Sequence, residues 1–462
     1  MRIQTVKTPE LGDRSYLVHD GRTGVVIDPQ RDLERMEEEI DQAGVTVVWV
    51  VETHLHNDYV SGGSELARRT GARYAMAAGD AVDVEHQPVS DGDVLDAGQL
   101  KVNVVATPGH TEHHLAYIVE TDGEPPAVFT GGNLLYGTVG RTDLVAPDLT
   151  DRLTREQHRS ARRLAETLPG DTRIYPTHGF GSFCSSSAAS EKDCSTISEE
   201  RASNDALTAS DEEAFVDQLV SGLTAYPGYY DHMAAINREG PGPPDLSPPD
   251  PLDAENLRSR LRNGEWVIDL RDRASFAAHH LRGSVSFELG QQFSTYLGWV
   301  VPWGDALTLV GSTAQQVIEA QRDLSRIGIE HDRITGAATG SVEDLLPGDR
   351  PASFRRACWA DLADAVSDPE LRVAVIDVRR ADEYDKSHID NAVNLPIHEL
   401  PERVGEAPTG QLWVHCGSGY RAAIASGILE RAGNDVVHID DMWPPDNDLN
   451  LTVTARSTKG QR

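Results

Sequence analysis

Residues 47–59 read Val-Val-Trp-Val-Val-Glu-Thr-His-Leu-His-Asn-Asp-Tyr, and this stretch decides the fold of the first half of the chain. An unbroken β-branched run fits a buried strand, and here it stops at a polar loop. Alternate side chains of an extended segment share a face. His54 and His56 therefore point to one side, as two imidazole ligands of one ion require. The same layout recurs on either flank. Val25–Ile27 ends at Asp28-Pro29, Val102–Val105 at Thr107-Pro108-Gly109-His110, and Ala127–Phe129 at Thr130-Gly131-Gly132. His178 follows in Tyr175-Pro176-Thr177-His178-Gly179. Polar residues just past strand ends sit where a rigid scaffold presents its chemistry. Helical patterns, Asp32–Ala43 and Asp151–Leu168, intervene.

The whole chain has 462 residues, more than one core holds, so two or three domains are expected. Against 42 basic residues stand 74 acidic ones, a net charge of −32. That balance repels phosphate, so nucleic acid and anionic membranes are excluded as partners. No apolar run approaches the roughly 18 residues of a membrane helix, and the N-terminus lacks a signal-like apolar segment. A cytoplasmic protein is expected, with self-association left open. Cys184, Cys194, Cys358 and Cys416 are too few for a disulfide scaffold and form no Cys-x-x-Cys pair. Cys358 fits packing, and Cys184 and Cys194 fit ordinary free thiols better than a redox pair.

Composition divides the chain. Residues 185–209 are rich in Ser, Ala, Glu and Asp and suggest a surface insertion. Residues 240–251 are rich in Pro and suggest a stiff linker. Beyond it a motif occurs twice. Trp266-Val267-Ile268-Asp269-Leu270-Arg271 is followed by Phe276 and His280; Ala374-Val375-Ile376-Asp377-Val378-Arg379 is followed by Tyr384 and His388. Two similar α/β domains in tandem are expected. The domains expected are 1–239, then 252–345 and 352–462 after the 240–251 linker.

In the second copy the strand Leu412–Val414 leads into His415-Cys416-Gly417-Ser418-Gly419-Tyr420-Arg421 and an Ala-rich helix. A Cys between a strand and a helix N-terminus meets inward-pointing N–H groups that favour thiolate. Gly417 and Gly419 let the loop curl, Ser418 lies between them, and Arg421 adds positive charge. The cradle is one residue shorter than a phosphate-binding Cys-x5-Arg loop and suits a terminal sulfur. This segment, about 352–443, resembles a rhodanese (sulfurtransferase) domain. The resemblance implies that Cys416 carries sulfane sulfur as a persulfide, taken from thiosulfate or a similar donor, and that Asp377 is structural. In the first copy Leu307–Val310 runs into Gly311-Ser312-Thr313 without a Cys, which implies a structural or docking domain.

Residues 1–180 resemble the metallo-β-lactamase fold, an αββα sandwich, and within it the persulfide dioxygenase branch. The matching segments are Thr53–Asp58, Ser61-Gly62-Gly63, Pro108–Thr111, Phe129–Gly131, Gly140-Arg141-Thr142-Asp143 and Tyr175–His178. In that branch Fe(II), held by two His and one carboxylate, oxidises a low-molecular-weight thiol persulfide to sulfite. The resemblance places His54, His56 and His110 at one metal position, Asp58 and His178 at the other, and Arg141 and Tyr175 beside substrate. Two positions depart from the family. Tyr59 stands where it has His, and Gly132 where it has a carboxylate ligand, with Asp58, Asn133 or Asp143 as candidates to move in and substitute. A neutral three-His set suits Zn²⁺ as well as iron. The leading expectation is an enzyme of persulfide metabolism, joining this centre to a Cys416 sulfurtransferase. Two others stay open: a sulfane-sulfur carrier or sensor with a silent N-terminal half, and a zinc thioester hydrolase related to glyoxalase II.

Overall fold

Alternation along the strands sorts the first half into layers. Val25 and Ile27 pack between two sheets, whereas Val26 packs under helices. Trp49 and Val51 likewise face the inter-sheet core, and Val50 faces outward to the helices. Each such fully buried aliphatic side chain stabilises the fold by about 1.5–3 kcal/mol. The computed structural model describes residues 1–179, 181–187, 192–445, 449, 451 and 453–454. Its chain divides into two units, Met1–Asp245 with Leu324–Gly328, and Leu246–Asp323 with Ile329–Arg462. No helix among the described residues is long and apolar enough to cross a membrane.

The first unit holds two six-stranded sheets. One runs in the order β1 (Arg2–Thr8), β2 (Asp13–His19), β3 (Thr23–Ile27), β4 (Thr46–Val51), β5 (Arg73–Ala77) and β6 (Gln87–Val89). The other comprises β7 (Val94–Ala97), β8 (Leu100–Ala106), β9 (Leu115–Glu120), β10 (Ala127–Gly131), β11 (Arg173–Pro176) and β12 (Ser195–Thr196), adjacent in that order. Helices α1 (Glu34–Ala43) and α2 (Gly63–Thr70) cover the first sheet, and α3 (Thr150–Thr167) covers the second. This is an αββα sandwich, with β4, β8, β10 and β11 all delivering their following loops to the site.

The segment 185–209 differs from the expected surface insertion. From Ser195 it forms β12, α4 (Ile197–Ser203) and α5 (Asp205–Thr208), and Ile197 and Ala206 join the core under the second sheet. Buried Glu200 ties the segment down by accepting from Ser195 Oγ (2.6 Å) and from the Gly137 amide (2.8 Å). A few buried anchors decide such a segment, and composition averages over them. Residues 188–191 lie outside the described residues.

The second unit contains the repeat as geometry. Strands β13 (Trp266–Asp269), β14 (Val285–Ser286), β15 (Leu307–Gly311) and β16 (Ile334–Thr339) form a parallel sheet of order β14-β13-β15-β16. A second sheet takes β17 (Arg355–Ala357), β18 (Val373–Asp377), β20 (Val393–Asn394), β21 (Gln411–His415) and β22 (Asp435–Ile439) in the order β17-β22-β21-β18-β20. Read from β20, it repeats the first sheet and adds one edge strand. The short strands β19 (His388–Ile389) and β23 (Val453–Thr454) pair separately. Asp269 clamps Arg271 at 2.5–3.2 Å, and Asp377 clamps Arg379 at 2.6–3.1 Å. Phe276 stacks on His280, as Tyr384 does on His388.

Candidate metal centre and cysteine loop

Four buried imidazoles converge at the strand ends of the first unit, and outer partners fix each one's tautomer. Thr53 Oγ1 donates to Asp28 Oδ2 (2.7 Å), so its oxygen accepts from His54 Nδ1 (2.9 Å) and leaves His54 Nε2 bare. His56 Nε2 donates to Glu52 Oε2 (3.1 Å), and His56 Nδ1 is buried without a hydrogen-bond partner. His110 Nδ1 donates to the Arg141 carbonyl (2.7 Å), and its Nε2 is likewise unpartnered. His178 Nδ1 donates to Asp13 Oδ1 (2.9 Å), and its Nε2 faces His54 Nε2 at 3.4 Å. A carboxylate, hydroxyl or carbonyl that orients a ring while leaving one nitrogen bare is the arrangement metal-ligating histidines use. Both oxygens of Asp58 are buried and unpartnered by hydrogen bonds, with one 3.2 Å from His178 Nδ1.

Among the described residues four groups place their ligand atoms within 4.8 Å of one another: His54/His56/His178, His110/His178/Cys184, Asp13/Asp58/His178 and Asp28/Glu52/His56. The expected set His54, His56, His110 is therefore divided, and His178 is the member shared by three groups. Bare inward nitrogens beside an unpartnered carboxylate fit a divalent cation.

Charge in the cluster follows from burial and neighbours. Burial, with His178 next, pulls the His110 imidazole down to about 3, and burial with His56 holds His54 well below the usual range. Burial opposes charge on His178 as well, but Asp58 and Asp13 outweigh it and push that imidazole up to about 9. Asp13 is pushed up to about 8 by burial and by the neighbouring Asp58 charge, whereas, burial notwithstanding, His178 holds the Asp58 carboxyl down. Behind them Asp28, at φ 51°, accepts from the Thr53 amide (2.6 Å) and from the Thr177 hydroxyl. One carboxylate thus ties the His54–His56 loop to the His178 loop.

The two departures from the family have physical consequences. Tyr59 stacks on His56 at 4.2 Å, and its hydroxyl lies 3.0 Å from His56 Nε2, so it orients that ring from behind. At residue 132 a Cβ would meet the His110 ring at 2.2 Å, so no side chain fits there with the ring as placed. Of the nearby substitutes, Asp143 is held by Arg141 (2.7 and 2.8 Å), the Asn133 amide donates to Gln157 while its Oδ1 is buried and unpartnered, and Asp58 lies against His178.

Arg141 and Tyr175, the residues assigned to substrate, have partners within the protein. Arg141 is 2% exposed; besides Asp143 its guanidinium donates to the carbonyls of Phe183 and Thr224. Tyr175 stacks on Phe129 (5.1 Å) in the sheet. Beside the cluster a cleft of about 460 Å³ opens, lined by Leu55, Asn57, Asp80, Thr111, Tyr230 and Arg238 among others. Sequence reasoning missed Asp13, Asp28, Glu52 and His114 and gave Cys184 no site role. Asp28 did carry a signal, because it follows β3 as the histidines follow their strands. His114 supports the site from the flank, its Nε2 accepting from the Gly132 amide (2.9 Å) and its Nδ1 donating to Thr107 (2.8 Å).

In the second unit Cys416 follows β21 and is buried, and Gly419, at φ 87°, turns the chain into the helix Tyr420–Arg431. Gly417 passes close to Arg421, where a Cβ would lie 3.2 Å from Nη2. Arg421 carries its positive charge in an ion pair. Glu383 takes it in a two-point pair (2.6 and 2.9 Å), and burial notwithstanding Arg421 holds that carboxyl down to about 2. Cys184, Cys194, Cys358 and Cys416 are all free thiols.

Two family profiles match the chain. The metallo-beta-lactamase superfamily profile matches residues 10–178, and the rhodanese-like domain profile matches residues 359–443. The mitochondrial persulfide dioxygenase of Homo sapiens is 30% identical over 207 residues, 44% of this chain and 72% of that protein. The chain belongs to the metallo-beta-lactamase superfamily. A hydroxyacylglutathione hydrolase of Synechococcus sp. (strain WH7803) is 33% identical over 167 residues, 35% of this chain and 62% of that enzyme. The chain thus spans a little under two thirds of that hydrolase's length. A metallo-beta-lactamase structure from Staphylococcus aureus subsp. aureus COL superposes with a TM-score of 0.64 at 25% identity, covering 73% of this chain and 99% of the other. That likeness extends well past the N-terminal profile. A rhodanese-like domain near the C-terminus and a fold that binds metal are thereby established, and the relatives named are enzymes.

Proposed function

We propose that the protein is a two-site enzyme of sulfane-sulfur metabolism. In this reading the first unit oxidises a low-molecular-weight thiol persulfide with O₂, and Cys416 transfers sulfane sulfur. The observation that carries it is the paring of the metal cluster. Tyr59 has left the donor set and residue 132 has no room for a carboxylate, while the histidine nitrogens remain bare and directed inward. Similarity to the human persulfide dioxygenase supports the same substrate class.

His54, His56, His178 and Asp58 would hold the ion, with His110 on the same face. An iron(II) held there would supply O₂ activation. Glu52 holds the Nε2 side of His56 and Asp13 the Nδ1 side of His178, so the opposite nitrogen of each ring would give up its proton to a bound ion. At the other site the Cys416 thiolate attacks the outer sulfur of thiosulfate. The S–S bond breaks, sulfite leaves with the electron pair, and the sulfur stays on Cys416 as a persulfide for a thiol acceptor. The segment 252–345, with the same strand order and Asp–Arg clamp but no loop Cys, serves as an inactive rhodanese-like partner domain.

A second reading, a thioester hydrolase, draws on the likeness to hydroxyacylglutathione hydrolases. One experiment separates the two: glutathione persulfide and a glutathione thioester offered to the same metal-loaded protein. Persulfide-dependent O₂ uptake with sulfite formation and no thioester cleavage is expected. Thioester cleavage without O₂ uptake would replace the proposal by its rival.

A further inference from the structure

Cys184 lies in the loop after His178, is fully buried, and sits against the Asp58 carboxylate. Its sulfur and the ligand atoms of His110 and His178 lie within 4.8 Å of one another. One residue aligns two of these donors. The Arg141 carbonyl accepts from His110 Nδ1, and the Arg141 amide donates to the Cys184 carbonyl (2.8 Å). The Arg141 guanidinium adds a bond to the neighbouring Phe183 carbonyl. His110 Nε2 is buried without a hydrogen-bond partner on one side of the thiol, and on the other the buried Asp58 carboxylate has His178 as its ion-pair partner at 3.2 Å. The His110 ring fills the space where a side chain at 132 would begin.

We propose that Cys184, grouped with His110 and His178, adds a thiolate ligand to the ion that His54, His56, His178 and Asp58 would hold, in place of the carboxylate missing at residue 132. The thiol proton leaves to solvent as the sulfur–metal bond forms, and the thiolate supplies negative charge that Gly132 cannot. Cysteine, histidine and carboxylate together are a donor set suited to zinc and cobalt as well as iron. The inference rests on the first unit being a metal site and is independent of which substrate that site turns over.

Cobalt(II), added alone to the metal-free full-length chain, tests it. The bound form should show a near-ultraviolet thiolate-to-cobalt charge-transfer band. That band should persist when Cys194→Ser, Cys358→Ser and Cys416→Ser are combined. It should vanish in Cys184→Ser, whose cobalt affinity should fall at least about tenfold. Should Cys184→Ser fail to fold, X-ray absorption of the zinc-loaded wild-type chain needs no variant and should show one sulfur at about 2.3 Å. Cobalt or zinc bound in a shell of nitrogen and oxygen alone would overturn the ligand and leave the metal centre standing. A chain that binds neither ion would overturn both.

Discussion

The two chemical sites are assembled on opposite plans. Cys416 and Arg421 belong to one loop of six residues, shaped by Gly419 and the helix it opens, with Glu383 the one distant partner named above. The metal cluster draws on separate loops after β4, β8 and β11, and Asp28, from the end of a fourth strand, holds two of them together. A contiguous site depends on local backbone geometry. A dispersed one depends on the packing of the whole sandwich and on buried carboxylates such as Asp13 and Asp28 that hold its histidine loops. Single changes at the first should therefore abolish chemistry and spare the fold, whereas changes behind the second should loosen the ion.

Replacing the loop nucleophile should have the largest effect. Cys416→Ser is expected to lower thiosulfate:cyanide sulfurtransferase activity by about a thousandfold or more, to background. The metal content of the chain should stay unchanged, as measured by elemental analysis. Retained turnover would remove Cys416 from the chemistry. At the dispersed site, Asp28→Ala frees Thr53, Thr177 and His56 at once. Metal affinity should fall by about 10–100-fold by competition with a chelator, the cost usual for outer partners of metal ligands.

Acid should distinguish the scaffolds more gently. Burial holds the His415 imidazole, next to Cys416, down to about 4 from an unfolded value of 6.5. Below pH 6.5 the unfolded chain takes up a proton that the folded one refuses, so stability falls as pH drops from 6.5 towards 4 and then levels off. For this group the slope is about 1.4 kcal/mol per pH unit. Chemical denaturation followed by the fluorescence of Trp413, two residues from His415 in β21, reads it; stability rising over that window would contradict the burial. The smallest effect belongs to Glu383→Gln. Releasing Arg421 from its carboxylate partner should raise kcat/KM for anionic thiosulfate a few-fold, with a neutral organic sulfane donor little changed. No change would mean that Arg421 does not face the donor.

The contrast also explains what the sequence made legible. His54, His56, His110, His178 and Cys416 stand in short motifs at strand ends, so strand patterning alone located them. The repeated Asp-x-Arg pairs were equally visible, because each clamp spans two residues. Glu383, Asp13 and Cys184 acquire their partners through long-range folding, and no local pattern marks them. For Arg141 the motif suggested substrate, and the fold supplies Asp143, two carbonyls and the Tyr226 ring as its partners, none of which the motif names. The Ser-rich segment failed for a related reason, since Ile197 and Ala206 are too sparse to shift its composition yet anchor it to the core.

The most direct test loads the full-length chain anaerobically with iron(II), quantifies the bound metal, and follows oxygen after addition of glutathione persulfide. One iron per chain and oxygen uptake matched by sulfite is the predicted result. A chain that retains no iron and consumes no oxygen would contradict it, and would leave Cys416 as the only reacting centre.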